Sequence, residues 1–178
     1  MKYQKSAERV MENITKFIET KLRLKVNRAK SKVDRPWRIK YLGFSFYQTK
    51  KKVEIRIHPK SVAKFKEKIR KITSRSNAMS METRYLKLAQ VIRGWVNYFK
   101  IANMGNIAQE LDKWTRRRIR MCYWKQWKKI KTKHDNLVKL GIENYKAWEF
   151  ANTRKSYWRI SNNPILARSL NNKTLERL

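Results

Sequence analysis

The sequence predicts a mainly α protein with a small β element: a helix-and-hairpin segment, an antiparallel helical pair, and a tail of short helices. Three features predict it. Apolar residues recur at three-and-four spacing through most of the chain, aromatic-rich Tyr41 to Tyr47 is followed by alternating Val53 to Ile57, and Gly, Asn and Pro punctuate the region after residue 133.

Ser6 is placed to cap a first helix with Glu8 in its first turn. Ala7, Val10, Met11, Ile14, Phe17, Ile18 and Leu22 then form an apolar stripe expected to face a core. Leu24 and Val26 alternate with Lys25 and Asn27 as a short strand would, before a cationic loop from Arg28 to Arg38 that Pro36 breaks. Aromatic Tyr41 to Tyr47, the basic loop Gln48-Thr49-Lys50-Lys51-Lys52 and alternating Val53 to Ile57 read as a β-hairpin. Gly43 falls in its first strand, where a glycine marks a bulge or the close approach of another backbone.

From Pro59 the period becomes helical, with Val62, Phe65, Ile69 and Ile72 on one face, so a boundary falls near residue 58. Thr73 to Ser80 is a polar linker, and Ser80 can cap the next helix with Glu82 in its first turn. Tyr85, Leu88, Ala89, Ile92, Trp95, Val96 and Phe99 line one side of that helix, while Arg84, Lys87, Arg93, Asn97 and Lys100 line the other. After a break at Asn103-Met104-Gly105, apolar positions from Ile107 through Trp114, Trp124 and Trp127 to Ile130 mark one longer helix. The pair is expected to pack as an antiparallel hairpin that buries the aromatic seam and turns the cations outward. The cation excess thins beyond Lys133, and short helices are expected there, anchored by Ala147-Trp148-Phe150 and Tyr157-Trp158. The expected divisions are therefore 1–58, 59–133 and 134–178.

Charge narrows the function. Of 178 residues, 46 are Lys or Arg and 13 Asp or Glu, a formal net charge of +33, yet 41% are hydrophobic and 12% aromatic. That hydrophobic content supports a core, and the uncompensated charge calls for a polyanion, with nucleic acid first. No apolar run approaches the ~20 residues that span a bilayer, and the N-terminus has no apolar signal region. No membrane partner and a cytoplasmic location are expected. Cys122 is the single cysteine, which excludes an intrachain disulfide and a cysteine-based zinc cluster, and it is expected to be packed and inert. His58 and His134 read as solvated. The three aspartates, Asp34, Asp112 and Asp135, are isolated in sequence, so no catalytic carboxylate cluster is expected.

The candidate binding residues form a series. Lys113, Arg116, Arg117, Arg118, Arg120, Lys125, Lys128, Lys129, Lys131 and Lys133 recur in one-turn steps, and no acid stands between Asp112 and Asp135. Solvated helices usually mix signs, so a one-sign helix face points to phosphates. Arg93, Lys100, Arg154, Lys155 and Arg159 extend the candidate surface, and Trp37, in a basic loop, is a candidate stacking ring. The seam tryptophans are expected in the core.

Several segments occur in an order that resembles bacterial group II intron-encoded reverse transcriptases: SAERVMENITKFIETKLRLKVN, RPWRIKYLGFSF, HPKSVAKFKEKIRKIT, VIRGWVNYFKIA and WTRRRIRMCYWKQWKKIK. The tail ANTRKSYWR is similar to the family's ANTRKGYWR, with Ser156 in place of glycine. The resemblance implies that 1–58 is the end of a polymerase palm, with Leu42, Gly43 and Phe44 as a primer-grip-like element. It implies that 59–133 is the helical thumb, or maturase domain X, and 134–178 a basic extension toward a DNA-binding region. Group II intron RNA and an RNA/DNA template-primer are the implied partners. The family's YADD signature would lie before Met1, with the fingers and most of the palm. No catalytic residue and no cofactor are therefore expected in this chain, and Mg2+ only with that missing palm active site. The chain is then either a fragment of a longer polymerase or a piece that works beside a separate chain carrying fingers and catalytic palm. Binding of structured intron RNA in aid of splicing is the expected function. A trans-acting half of a split RNA-directed DNA polymerase and a general basic RNA- or DNA-binding protein are the alternatives.

Overall fold

The computed structural model describes residues 2–49 and 52–171. Lys50 and Lys51 of the expected basic hairpin loop, and the expected extension from Asn172 onward, lie outside the described residues. The chain divides into two compact units, Met1–His58 and Pro59–Leu178.

In the first unit, α1 (Lys2–Thr20) begins before Ser6, which lies inside the helix rather than capping it. Gln4 supports the first turns by donating to Glu8 at 3.2 Å. Arg23 takes a left-handed φ of 52°, and the Leu24 N–H returns to the Ile18 carbonyl at 3.2 Å, which ends the helix in a Schellman-type turn. The expected core-facing stripe is corrected: Val10, Ile14 and Phe17 are 55%, 50% and 56% exposed, and among the described side chains of α1 it is Thr15 that is buried. Periodicity specifies which side of a helix is apolar, and what covers that side is a separate matter. Leu24 and Val26 form no strand; the segment runs as an irregular loop to a single 3₁₀ turn at Pro36–Arg38.

Strands β1 (Phe44–Gln48) and β2 (Val53–Ile57) pair antiparallel, with Phe44 opposite Ile57, Phe46 opposite Ile55 and Gln48 opposite Val53. Phe44 and Ile57 are buried, and on the opposite face Arg56 donates to Ser45 Oγ at 3.1 Å. Gly43 is not inside the strand. Leu42 and Gly43 have φ of 47° and 86°, and Tyr41 and Phe44 exchange backbone hydrogen bonds of 3.0 and 2.8 Å around them. Two consecutive positive φ values define a tight turn of the I′ kind, which reverses the chain just ahead of β1.

The second unit holds α2 (Pro59–Ile72), α3 (Met81–Phe99), α4 (Gly105–Gln126), α5 (Ile130–Lys139), α6 (Asn144–Ala151), α7 (Tyr157–Ile160) and α8 (Pro164–Ser169). Phe65 and Ile69 of α2, Leu88 of α3, Leu111 and Ile119 of α4, Leu137, Ala147, Ile160 and Leu166 belong to one buried cluster. One core therefore runs through both the 59–133 and the 134–178 segments. Ser80 caps α3, its Oγ accepting the Thr83 N–H at 3.1 Å.

Two expectations about this unit are corrected. The backbone partner of α3 is α2, and those of α4 are α7 and α8, so the dominant pairing is not an α3–α4 hairpin. The long cationic helix is also broken. At Trp127 the backbone turns to φ −77° and ψ 71°, and helix resumes only at Ile130. That turn lets Trp127 pack edge-on to Trp124 at 6.0 Å, both nearly out of solvent, and burying two indoles outweighs continuing one exposed turn of helix. Farther on, Gly141, with φ 83°, closes α5, and the Ile142 N–H bonds back to Leu137 O at 3.0 Å.

Candidate nucleic-acid interface

The cationic series separates into two groups with different physical roles. Arg116, Arg117, Arg118 and Arg120 turn inward or along the surface, a correction to the outward-facing row. Arg116 pairs with Asp112, one turn earlier, at 2.8 Å. Arg117 donates to Trp158 O at 2.9 Å and lies over the Trp158 ring at 3.8 Å. Arg120 donates to Ser161 O at 3.0 Å. Arg118 donates to Thr73 Oγ1 at 2.8 Å, Thr73 O at 3.1 Å and Arg70 O at 3.3 Å.

Helix ends explain the pattern. The last carbonyls of a helix have no intrahelical donor, and a cation there also meets the negative end of the dipole. Arg117 and Arg120 serve the end of α7, and Arg118 serves the end of α2. Arg84, expected on the charged face of α3, is buried at 6% exposure and serves the same end of α2. It donates to Ile72 O, Asn77 O and, at 3.2 Å, Met79 O. All these acceptors are neutral, so the charges stay uncompensated. Burial first, and then Arg116 and Arg117, hold the Arg120 guanidinium below its usual range; burial does the same to Arg118.

The second group faces solvent. Lys113 and Lys125 on α4, Lys128 and Lys129 in the α4–α5 connection, and Lys131 on α5 are exposed, as are Arg93, Lys100, Arg154, Lys155 and Arg159. Lys133 is half-buried, its ammonium 4.9 Å from the Trp124 ring. Because α4 stops at Gln126, Lys128 and Lys129 are not steps on a continuous rod. Among the described residues, Lys125, Lys128, Lys129 and Lys131 form no ion pair with an acid.

In the first unit, Trp37 is 42% exposed, with the Arg35 guanidinium 5.6 Å from its ring. Leu42 is exposed at the tip of its turn, while Phe44 is buried beneath it. Seam tryptophans Trp124 and Trp127 are in the core, and Trp95 and Trp114 pack against it. Trp148, expected as an anchor, is 43% exposed and stacks on His134 at 4.1 Å. His134 is not simply solvated: Asp135 Oδ1 and Asn144 Oδ1 lie 2.9 and 2.6 Å from its two ring nitrogens. Cys122 is buried, its thiol donating to Thr73 O at 3.5 Å and pushed up by that burial.

Sequence reasoning missed Thr73, which at 1% exposure ties α2 to Arg118 and Cys122, and it missed Arg84. Neither shows a signal in sequence, since a linker threonine and a surface arginine look the same. Among the described residues no three of His, Cys, Asp or Glu come together as a metal-ligating group. No helix among the described residues is long and apolar enough to cross a membrane.

No curated protein sequence matches the chain. Residues 62–141 match a family model described as the group II intron, maturase-specific domain. The match runs from Val62 in α2 to Gly141 at the close of α5, and so contains the capping arginines and the exposed lysines around the α4–α5 break.

Proposed function

We propose, from the match of residues 62–141 to the group II intron, maturase-specific domain, that the exposed Lys and Arg side chains of Pro59–Leu178 hold structured intron RNA in its self-splicing fold. The bond-making steps belong to the RNA. The protein supplies positive charge on a scaffold whose helix ends are locked by its own arginines, so that phosphates meet cations already held in place. The observation that carries this reading is the cluster of Lys125, Lys128, Lys129 and Lys131, exposed around the α4–α5 break without acid partners among the described residues, inside the matched span.

In finer detail, the same surface takes an RNA/DNA template-primer duplex, and the exposed Leu42–Gly43 turn steadies a primer end, with Trp37 as a stacking ring. The test is binding of a group II intron RNA, an unrelated structured RNA of equal length and a duplex DNA across a salt series. Log K for the intron RNA is expected to fall with log salt by about 0.7–0.9 per phosphate contact, with the intron preferred. Equal affinity for all three nucleic acids would reduce the protein to a general basic binder.

One observation favours a second reading. The exposed stripe Val10, Ile14 and Phe17 on α1 is the kind of surface a helix buries against a partner. In that reading the partner is a separate chain with fingers and catalytic palm, and the pair is a split RNA-directed DNA polymerase. Primer extension that requires both chains, and that fails with Phe17→Lys, is the expected result; extension by the fingers–palm chain alone, unchanged on mixing, discards it.

A further inference from the structure

Three clefts of the Pro59–Leu178 unit share Ser74 and Arg75 and run together along the linker between α2 and α3. The first encloses about 460 Å³, a ligand-sized space. No Asp or Glu lines any of the three.

Its cations have no acid partner among the described residues. Arg84, 6% exposed, lines the first cleft, and its hydrogen bonds all go to neutral carbonyls. In the second cleft, which Tyr157 lines, the Arg75 guanidinium and the Lys125 ammonium both lie over the Tyr157 ring, at 5.4 and 5.3 Å from its centroid; both residues also line the first cleft. Two like charges gathered on one ring repel each other, and the ring quadrupole alone is a weak remedy in the absence of an anion. Lys128, exposed, also lines the first cleft. Ser80 and Met81 bring the N-terminal end of the 19-residue helix α3 to the same cleft, adding the positive end of its dipole.

Depth decides what kind of anion fits. The backbone of a smooth duplex follows a surface and reaches the exposed lysines, whereas a recessed guanidinium is reached only by a group that projects. Unpaired nucleotides at bulges and loops project in this way, and proteins read them by phosphate contacts together with stacking on aromatic or guanidinium planes. We propose that the linker cleft receives one unpaired nucleotide of the bound RNA, its phosphate between Arg75 and Lys125 and its base in the cleft toward Arg84. The inference rests on the RNA-binding reading above and adds to it a preference for RNA with an extruded nucleotide.

The test uses the full chain and two hairpin RNAs that differ only in a single-nucleotide bulge, with binding followed by fluorescence anisotropy and folding by circular dichroism. Wild type is expected to bind the bulged RNA about tenfold tighter, the scale of one stacked base. Arg75→Gln/Lys125→Gln loses that preference, and Arg75→Lys/Lys125→Arg retains most of it. Lys87→Gln/Lys139→Gln, which removes equal charge elsewhere, weakens both RNAs alike and keeps the preference. Equal affinity of wild type for the two RNAs, or a preference that survives Arg75→Gln/Lys125→Gln, overturns the cleft assignment and leaves general RNA binding intact. Failure of wild type to bind either hairpin while it still binds the intron RNA overturns the cleft assignment alone, and failure to bind the intron RNA as well overturns both.

Discussion

An arginine beside a helix end and an arginine beside a phosphate carry the same charge, but they fail differently when removed. Arg118 donates to Thr73 Oγ1, Thr73 O and Arg70 O from within α4, so Arg118→Gln removes these three bonds at the α2 terminus and leaves Thr73 O only the Cys122 thiol. The expected cost is about 1–3 kcal/mol of stability, read as a lowered urea midpoint with an unchanged slope. Lys129, exposed and without an acid partner among the described residues, should behave oppositely. Lys129→Gln is expected to leave stability within about 0.5 kcal/mol and to lower the salt slope of RNA binding by about one. An Arg118→Gln protein as stable as wild type would show that this guanidinium is free to reach RNA. The arginine-rich run from Arg116 to Arg120 was legible in the sequence as unusual; its division into caps and exposed cations was not, because the carbonyls that claim the caps lie about forty residues away on other elements.

Elements whose causes are local were the legible ones. The β-hairpin, the helix from Pro59 and the Ser80 cap rest on alternation, period and one side chain within three residues of its donor. The break at Trp127 and the exposure of α1 depend on what packs nearby, which no window of sequence contains. The Leu42–Gly43 turn lies between these cases. Its glycine was visible, but Leu42 at φ 47° hid the turn, since a leucine there is strained by about 1–3 kcal/mol. Leu42→Asn, which tolerates that conformation, is expected to raise the thermal midpoint of the hairpin unit; a lower midpoint would mean that Leu42 packing outweighs the strain. The α5–α6 pair offers a titration. Asp135 first, and then Asn144, accept from His134 and hold its pKa above the usual histidine value, because two acceptors at two ring nitrogens favour the doubly protonated ring. Stability from this contact is complete below the unfolded value of about 6.5 and is lost as pH rises through the raised folded value. His134→Phe keeps a ring against Trp148 and removes the proton, so its thermal midpoint should change less than that of wild type between pH about 6 and 8.

At the scale of the whole chain, a formal charge of +33 opposes the compact state while it attracts RNA. Composition alone pointed to a polyanionic partner, and that inference needed no fold. Where on the surface the partner sits did need one, because caps, cation–π contacts and acid pairs such as Arg116–Asp112 withdraw part of the charge from solvent. These two roles of charge give salt opposite effects on folding and on binding. Raising ionic strength from about 0.1 to 1 M shortens the Debye length from about 10 to 3 Å, which screens repulsion among the exposed lysines far more than the buried arginine–carbonyl contacts. The thermal midpoint of the free protein should therefore rise with salt, while affinity for RNA falls. With RNA bound the trend should reverse: phosphates already neutralise the surface at low salt, so the complex melts highest there and approaches the free protein as salt releases it. Melting curves with and without intron RNA across one salt series check both signs. A free protein whose midpoint falls with salt would place the dominant electrostatics in attractive pairs within the chain, and the uncompensated cations would then lose their place as the driving term for RNA binding.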